Sequence, residues 1–429
     1  MISLNIVVAP VTAAERKPDP VFFLTGGPGQ GAARIASARE DPLMRELRRE
    51  RDLIFIDLRG TGDSNRLHCS VASDRTSAQN YFAEIFPLER IHACRETLAE
   101  IADLRFYTTP IAMDDLEEVR AALGYGKINL YAVSYGTQAA LHYLRLYSAR
   151  VRSAVLAGVT TPRAKLPLHF AQGAQQAMDR LIDDCAADKT CANQFPNLKG
   201  DFASVLAAFD KGPVTFELNH PVIKTTQRVS LSRGVFAERL RLLLYDHSTA
   251  RLIPLLIHQA ATGNWTTFAK IAFPRGAVDS DVSLGMYLSV TCSESVPLIS
   301  EHEIVRETQG TFLGEYRTRR HQQACSGWPQ GEVSPEYYQP AKSEVPVLML
   351  SGEIDPATPP EYGEAASQFL SNGRQILLRR TPHNYHVDCA THLAAEFIAK
   401  GSAIDLNAAC ADRIRRPRFL TELPERYNR

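Results

Sequence analysis

Ala132-Val133-Ser134-Tyr135-Gly136 is the string richest in chemistry. A strand-like run, Lys127 to Val133, precedes the serine, and a helical pattern from Thr137 to about Ser148 follows it. A serine on a sharp strand-to-helix turn points its hydroxyl into a cleft, and small residues two before and two after let strand and helix approach. The first of these is Ala132, where glycine is usual. Such a hydroxyl attacks only when a base takes its proton, and the base needs an acid to fix its tautomer. Leu350 to Pro356 follows a strand pattern, which puts Asp355 at the C-terminal edge of a sheet, where open α/β sheets bind ligands. Arg380 to His386 follows the next strand and supplies His383 as base, with His386 in reserve. Glu353 is a rival acid, Asp355 could merely cap its turn, and His383 could be a loop histidine. His383, His386, Asp388 and Cys389 also raise a metal, but no second ligand cluster of zinc-like spacing accompanies them. No cofactor and no metal are expected.

The tetrahedral intermediate of acyl transfer needs backbone donors for its oxyanion. The Tyr135 amide, next to the serine, is one candidate. Thr25-Gly26-Gly27-Pro28-Gly29-Gln30-Gly31 follows an earlier strand and lets the backbone run close to substrate, which makes the Gly27 amide the second. A phosphate loop would need Gly-Lys-Ser/Thr there, and none follows.

The elements that must hold these residues are strands alternating with helices. Pro20 to Thr25, Asp52 to Asp57, Lys127 to Val133 and Arg152 to Val159 are apolar strand patterns. Met1 to Val8 reads as a short strand. Met113 to Leu123 reads as a helix capped by Asp114 or Asp115 and ended by Gly124. The alternation predicts a parallel sheet. From Thr161 to about Lys342 helical spacing dominates, at Leu168 to Asp184, Val235 to Tyr245 and Ala250 to Ala261, with possible strands in Val214 to Ser232. Strand patterns return at Val345 to Leu350 and Gln375 to Leu378, and a helix from about Thr391 to Lys400 closes the pattern. The expectation is one core, 1–160 with 343–429, and a mainly helical lid, 161–342.

The 429 residues carry 48 basic and 48 acidic side chains, so there is no cationic surplus of the kind that grips nucleic acid. No apolar run is long enough for a membrane span. The eight cysteines suit disulfides in an oxidising compartment. The start lacks a signal-peptide pattern, and the two readings agree if a leader is missing from this chain.

Four motifs occur in order: Gly26-Gly27-Pro28-Gly29, Asp57-Leu58-Arg59-Gly60-Thr61-Gly62-Asp63-Ser64, Ser134-Tyr135-Gly136-Thr137, and Gly352 to Pro360. Together they resemble the α/β-hydrolase serine aminopeptidases of the proline iminopeptidase and tripeptidyl aminopeptidase type (peptidase family S33), from about Pro20 to Cys410. The resemblance implies an α/β-hydrolase fold with a lid, Ser134 as nucleophile, Asp355 as acid and His383 as base. His383-Asn384 with the downstream Cys389 looks like the family's histidine segment, although Pro382 stands where glycine usually precedes the histidine. It also implies export, a periplasmic or secreted location, and the disulfide pairs Cys69–Cys94, Cys185–Cys191, Cys292–Cys325 and Cys389–Cys410. Asp57 to Ser64 is expected to be structural, with Arg59 tying down the turn. Val290 to Glu294 resembles a segment near the cleft, which makes Glu294 the candidate to receive a substrate α-ammonium. No tryptophan-rich substrate loop is evident. The function expected is a serine hydrolase releasing N-terminal residues or short units from unblocked peptides. The alternatives are an esterase or amidase on small esters, amides or lactones, and a non-catalytic protein on this fold.

Overall fold

A computed structural model of the chain describes residues 2–13, 15–37, 41–69, 76–220, 223–273 and 281–424. Among these residues seven strands form the main sheet: β1 Ile6–Ala9, β2 Val21–Leu24, β3 Leu53–Ile56, β4 Ile128–Val133, β5 Val151–Ala157, β8 Val347–Gly352 and β9 Gly373–Leu378. Their spatial order is β1-β3-β2-β4-β5-β8-β9, and only the β1 pairing is antiparallel. β2 and β3 are apolar along their whole length, and β4, β5 and β8 mostly so, because both faces are covered, as parallel sheets require. Phe22, Ile54, Leu130, Ala132, Leu156 and Met349 face one helical layer, which includes Thr109–Ala122 and Tyr135–Tyr147. Phe23, Phe55, Val155, Leu348 and Leu350 face the other, which includes Asp388–Lys400. Burying such side chains stabilises the sheet by roughly 1.5–3 kcal/mol each.

Element types follow the sequence reading, while several ends move. The first strand is Ile6–Ala9, and Met1 lies outside the described residues. The helix expected from Met113 begins at Thr109, with Thr108 as N-cap and Pro110 in the first turn. Proline suits that position because the first-turn amide has no helical partner. Neither Asp114 nor Asp115 caps it. Asp115 is held by Arg59 through two 2.6 Å bonds, and Asp114 accepts from the Tyr147 hydroxyl. Arg59 also donates to the Phe106 carbonyl at 2.8 Å, so it ties the turn to that helix. Gly124, at φ +75, follows the helix end.

Between β5 and β8 lie helices and the antiparallel hairpin of β6 Val214–Asn219 with β7 Thr226–Leu231. They enclose their own apolar core, in which Phe202, Phe209, Phe236, Trp265 and Phe268 meet. Ala78, Tyr81 and Phe82, from the connection between β3 and β4, share that core. The boundaries 161–342 therefore do not isolate a unit, because the earlier connection packs into it. Four disulfides are present: Cys69–Cys94, Cys185–Cys191, Cys292–Cys325 and Cys389–Cys410. Among the described residues no helix is long and apolar enough to cross a membrane.

Candidate active site

Ser134 directly follows β4 and caps the start of the helix Tyr135–Tyr147. Its backbone sits at φ 56, ψ −126, a conformation that costs a non-glycine residue on the order of 1–3 kcal/mol. Local bonds hold it there. The Ser134 amide donates to the Ala157 carbonyl at 2.9 Å, and its own carbonyl accepts from the Thr137 hydroxyl at 2.6 Å. Gly136 is required two residues on, because a Cβ there would lie 2.4 Å from the Leu24 carbonyl oxygen. Ala132, fully buried within β4, fits where the motif usually has glycine.

β8 and β9 deliver the partners. The Ser134 hydroxyl oxygen lies 3.0 Å from His383 Nε2. His383 Nδ1 lies 2.8 Å from Asp355 Oδ2 and 3.0 Å from Oδ1. Asp355 is completely enclosed, whereas the His383 ring keeps 12% of its surface. Burial alone would raise the Asp355 carboxyl. The charge and hydrogen bond of His383, with donors from Thr358, hold it below its ordinary value instead. The amides of Ala357 and Thr358 both donate to Oδ1 at 2.8 Å, and the Thr358 and Tyr385 hydroxyls donate to Oδ2 at 2.7 and 2.8 Å. An ionised carboxylate locked in this way fixes the imidazole so that Nε2 faces the serine.

The Gly26–Gly27 segment crosses directly over the Ser134 side chain. A Cβ on Gly26 would stand 3.2 Å from Ser134 Cβ and 3.6 Å from its hydroxyl oxygen. The Tyr135 amide is at the N-terminus of its helix, where unpaired N–H groups and the helix dipole favour negative charge. Asp57 secures the loop from below by accepting from the Ala33 and Asp63 amides and the Asn5 side chain.

Of the other candidates, Glu353 accepts from Arg379 and the Arg380 amide and does not reach His383. His386 is 81% exposed, 3.7 Å from Asp41, and Cys389 is disulfide-bonded, so neither joins the serine. Glu294 is fully buried. Its oxygens accept from the Thr109 amide (2.6 Å), the Thr109 hydroxyl (2.8 Å), Gln138 (3.2 Å) and the Tyr337 hydroxyl (2.5 Å). Its link to the elbow is indirect, through the Thr109 hydroxyl, 2.6 Å from that of Tyr135. Burial raises its carboxyl to about 7, against the lowering effect of those donors. Such a group is no open acceptor for an ammonium, and that reading of Glu294 is not carried forward.

Three contacts escaped the sequence reading. Tyr385 and Thr358 brace Asp355, and an Asp-x-x-Thr spacing is a signal that could have revealed Thr358. Tyr245 comes from between β5 and β8 and packs its ring edge-on against His383, 4.8 Å between centroids. The Tyr245 carbonyl accepts from the Asn384 amide at 2.9 Å, and Asp246 accepts from the Asn384 side chain. No local pattern announces that long-range contact.

The comparisons bear on the family and the fold. The model for the alpha/beta hydrolase fold matches residues 19–269, and a model described as TAP-like protein matches residues 310–410. The chain belongs to the α/β-hydrolase family. Its relatives include a tripeptidyl aminopeptidase of Streptomyces lividans, 30% identical over 402 residues, covering 86% of this chain and 71% of that one. Serine protease Hip1 of Mycobacterium tuberculosis is 23% identical over 425 residues, covering 90% of this chain and 79% of that one. A solved proline iminopeptidase of Mycobacterium smegmatis covers 93% of this chain at 15% identity with a TM-score of 0.42, too distant to add to the assignment. The resemblance drawn from the four motifs is borne out, and with it the fold class.

Proposed function

We propose that this chain is a serine hydrolase that releases N-terminal residues or short units from unblocked peptides through an acyl-enzyme. The observation that carries the reading is the line of contacts Ser134 to His383 to Asp355, 3.0 and 2.8 Å long. His383 Nε2 takes the Ser134 proton as the hydroxyl oxygen bonds to the substrate carbonyl carbon. The carbonyl oxygen becomes an anion that the amides of Tyr135 and Gly27 receive. Collapse breaks the bond to the leaving amine, which takes the proton from Nε2. Water then attacks the acyl group, gives its proton to Nε2, and the serine is regenerated. The relatives named as an aminopeptidase and a serine protease support a peptide substrate. The disulfides support an oxidising compartment, periplasmic or extracellular, as the place of work.

An esterase or amidase on small substrates is the second reading. It is favoured by Glu294, whose occupied oxygens leave the substrate ammonium without its expected acceptor. The test is a panel of free and N-acetylated peptide anilides beside short acyl esters, run with wild type and Ser134→Ala. The proposal expects free peptides to be turned over at least tenfold better than blocked ones, and Ser134→Ala to lose about 10⁴-fold or more. Indifference to blocking would favour the esterase. Undiminished turnover in Ser134→Ala would remove Ser134 from the chemistry.

A further inference from the structure

A cavity of about 400 Å³ has Arg239, Arg317 and Glu84 on its wall. Two contacts tie its walls to the elements around Ser134. On one side, Val282 and Leu284 flank Ser283, whose amide donates to the Gly29 carbonyl at 2.8 Å, two residues past Gly27. On the other, the helix Arg233–Leu243, which carries Arg239, runs on to Tyr245 against His383.

Among the described residues, the charges there do not balance. Arg241 and Arg317 both donate to Glu238, at 2.7 Å each to the same oxygen. Arg317 gives another bond to the Tyr287 hydroxyl, and its Nε is buried without a partner. Glu84 accepts from the Ser232 hydroxyl at 2.9 Å. Arg239 lies over the Phe273 ring, 4.8 Å from its centroid, and among the described residues no carboxylate or carbonyl accepts from it. Among the described residues, the guanidiniums of Arg239, Arg241 and Arg317 thus stand against the carboxylates of Glu238 and Glu84, and Arg239 is the one of the three that lines the cavity without a carboxylate bond. Burial already pulls the Arg239 guanidinium below its usual range, with Glu238 opposing that pull. A half-desolvated guanidinium gains most from a charge-assisted pair with an anion. Tyr81, Phe86 and Tyr287 wall the same space, so an apolar or aromatic stem fits behind the charge.

We propose that Arg239, backed by Arg317, forms a subsite that receives a carboxylate carried on a short apolar stem of the substrate. Its part in turnover rests on the hydrolase reading above; its capacity to bind does not. The carboxylate has two possible sources, an acidic side chain near the scissile bond or the free C-terminus of a short peptide.

Calorimetry with hydrocinnamate and its uncharged counterpart hydrocinnamide tests the subsite directly. Wild type is expected to bind the acid at least tenfold more tightly than the amide, Arg239→Met to bind the two within about twofold, and Arg239→Lys to fall between. No preference in wild type, or one that survives in Arg239→Met, overturns the proposal. Turnover then identifies the source. One arm compares Glu with Gln in the acyl residue, and the other compares free with amidated peptide C-termini. The arm that matters loses its kcat/KM ratio in Arg239→Met, and a flat response in both arms overturns the substrate role. Acid-selective binding together with undiminished turnover in Ser134→Ala would sink the serine mechanism while leaving the subsite standing.

Discussion

At the scale of single residues, the site depends on how firmly Asp355 is held. Five protein groups address its two oxygens: His383, two amides and two hydroxyls. Removing the acid and removing one brace should therefore differ in size. Asp355→Asn reverses a hydrogen-bond partner of Nδ1 and is expected to lower kcat by about 10⁴-fold. Tyr385→Phe removes one donor to a charged group, worth about 1.5–3 kcal/mol, and is expected to lower kcat roughly 10- to 100-fold with little change in KM. Steady-state kinetics on both variants would check this, and a Tyr385→Phe enzyme equal to wild type would show the brace to be idle. The three proposed catalytic side chains were legible because each follows a strand pattern and faces a distinctive turn. Tyr385 was not, because a tyrosine two residues past a histidine carries no pattern of its own. Its role appears only once β8 and β9 lie side by side.

At the scale of elements, Glu294 joins three separate pieces of chain. It sits at the end of the helix Leu284–Glu294 and accepts from Thr109 and Gln138 on two different helices and from Tyr337 beyond them. Burial lifts its carboxyl from 4.5 to about 7, so the native state binds a proton that the unfolded chain releases. Stability from this group is full below pH 4.5 and is lost as pH rises toward 7. Between pH 5 and pH 8 the loss amounts to roughly 2–3 kcal/mol. Urea unfolding of wild type and Glu294→Gln at those two pH values should show the wild type losing that much more than the variant. Parallel losses would mean that Glu294 is ionised across the range. The element pattern was readable in part: the helices Phe170–Ala187, Arg233–Leu243 and Ile253–Ala261 between β5 and β8 were visible as apolar periodicity, whereas Leu198–Ala208, Trp265–Ala272 and Leu284–Glu294 were not singled out. Helix starts were less so. The helix at Thr109 begins four residues before its apolar stripe because Thr109 is anchored by Glu294, 185 positions away.

At the scale of the molecule, the sheet holds Ser134 while segments from two connections build the layer above the sheet. Ala78, Tyr81 and Phe82 enter the core of the β5–β8 insertion, and Tyr245 descends from that insertion onto His383. The sequence showed an insertion but not that an earlier loop belongs to it, since nothing local marks which apolar residues will meet across 150 positions. The charge of the covering layer was equally hidden. A net charge of zero over the whole chain says nothing of Arg239 and Arg317 lining one cavity.

The central claim is that Ser134 is an activated nucleophile. Reaction with a fluorophosphonate, followed by intact mass and peptide sequencing, asks this of the folded protein directly. The account predicts a single stoichiometric adduct on the Ser134 hydroxyl, formed fast in wild type and lost in His383→Ala. A wild-type chain that stays unlabelled, or one modified at another residue, would contradict it.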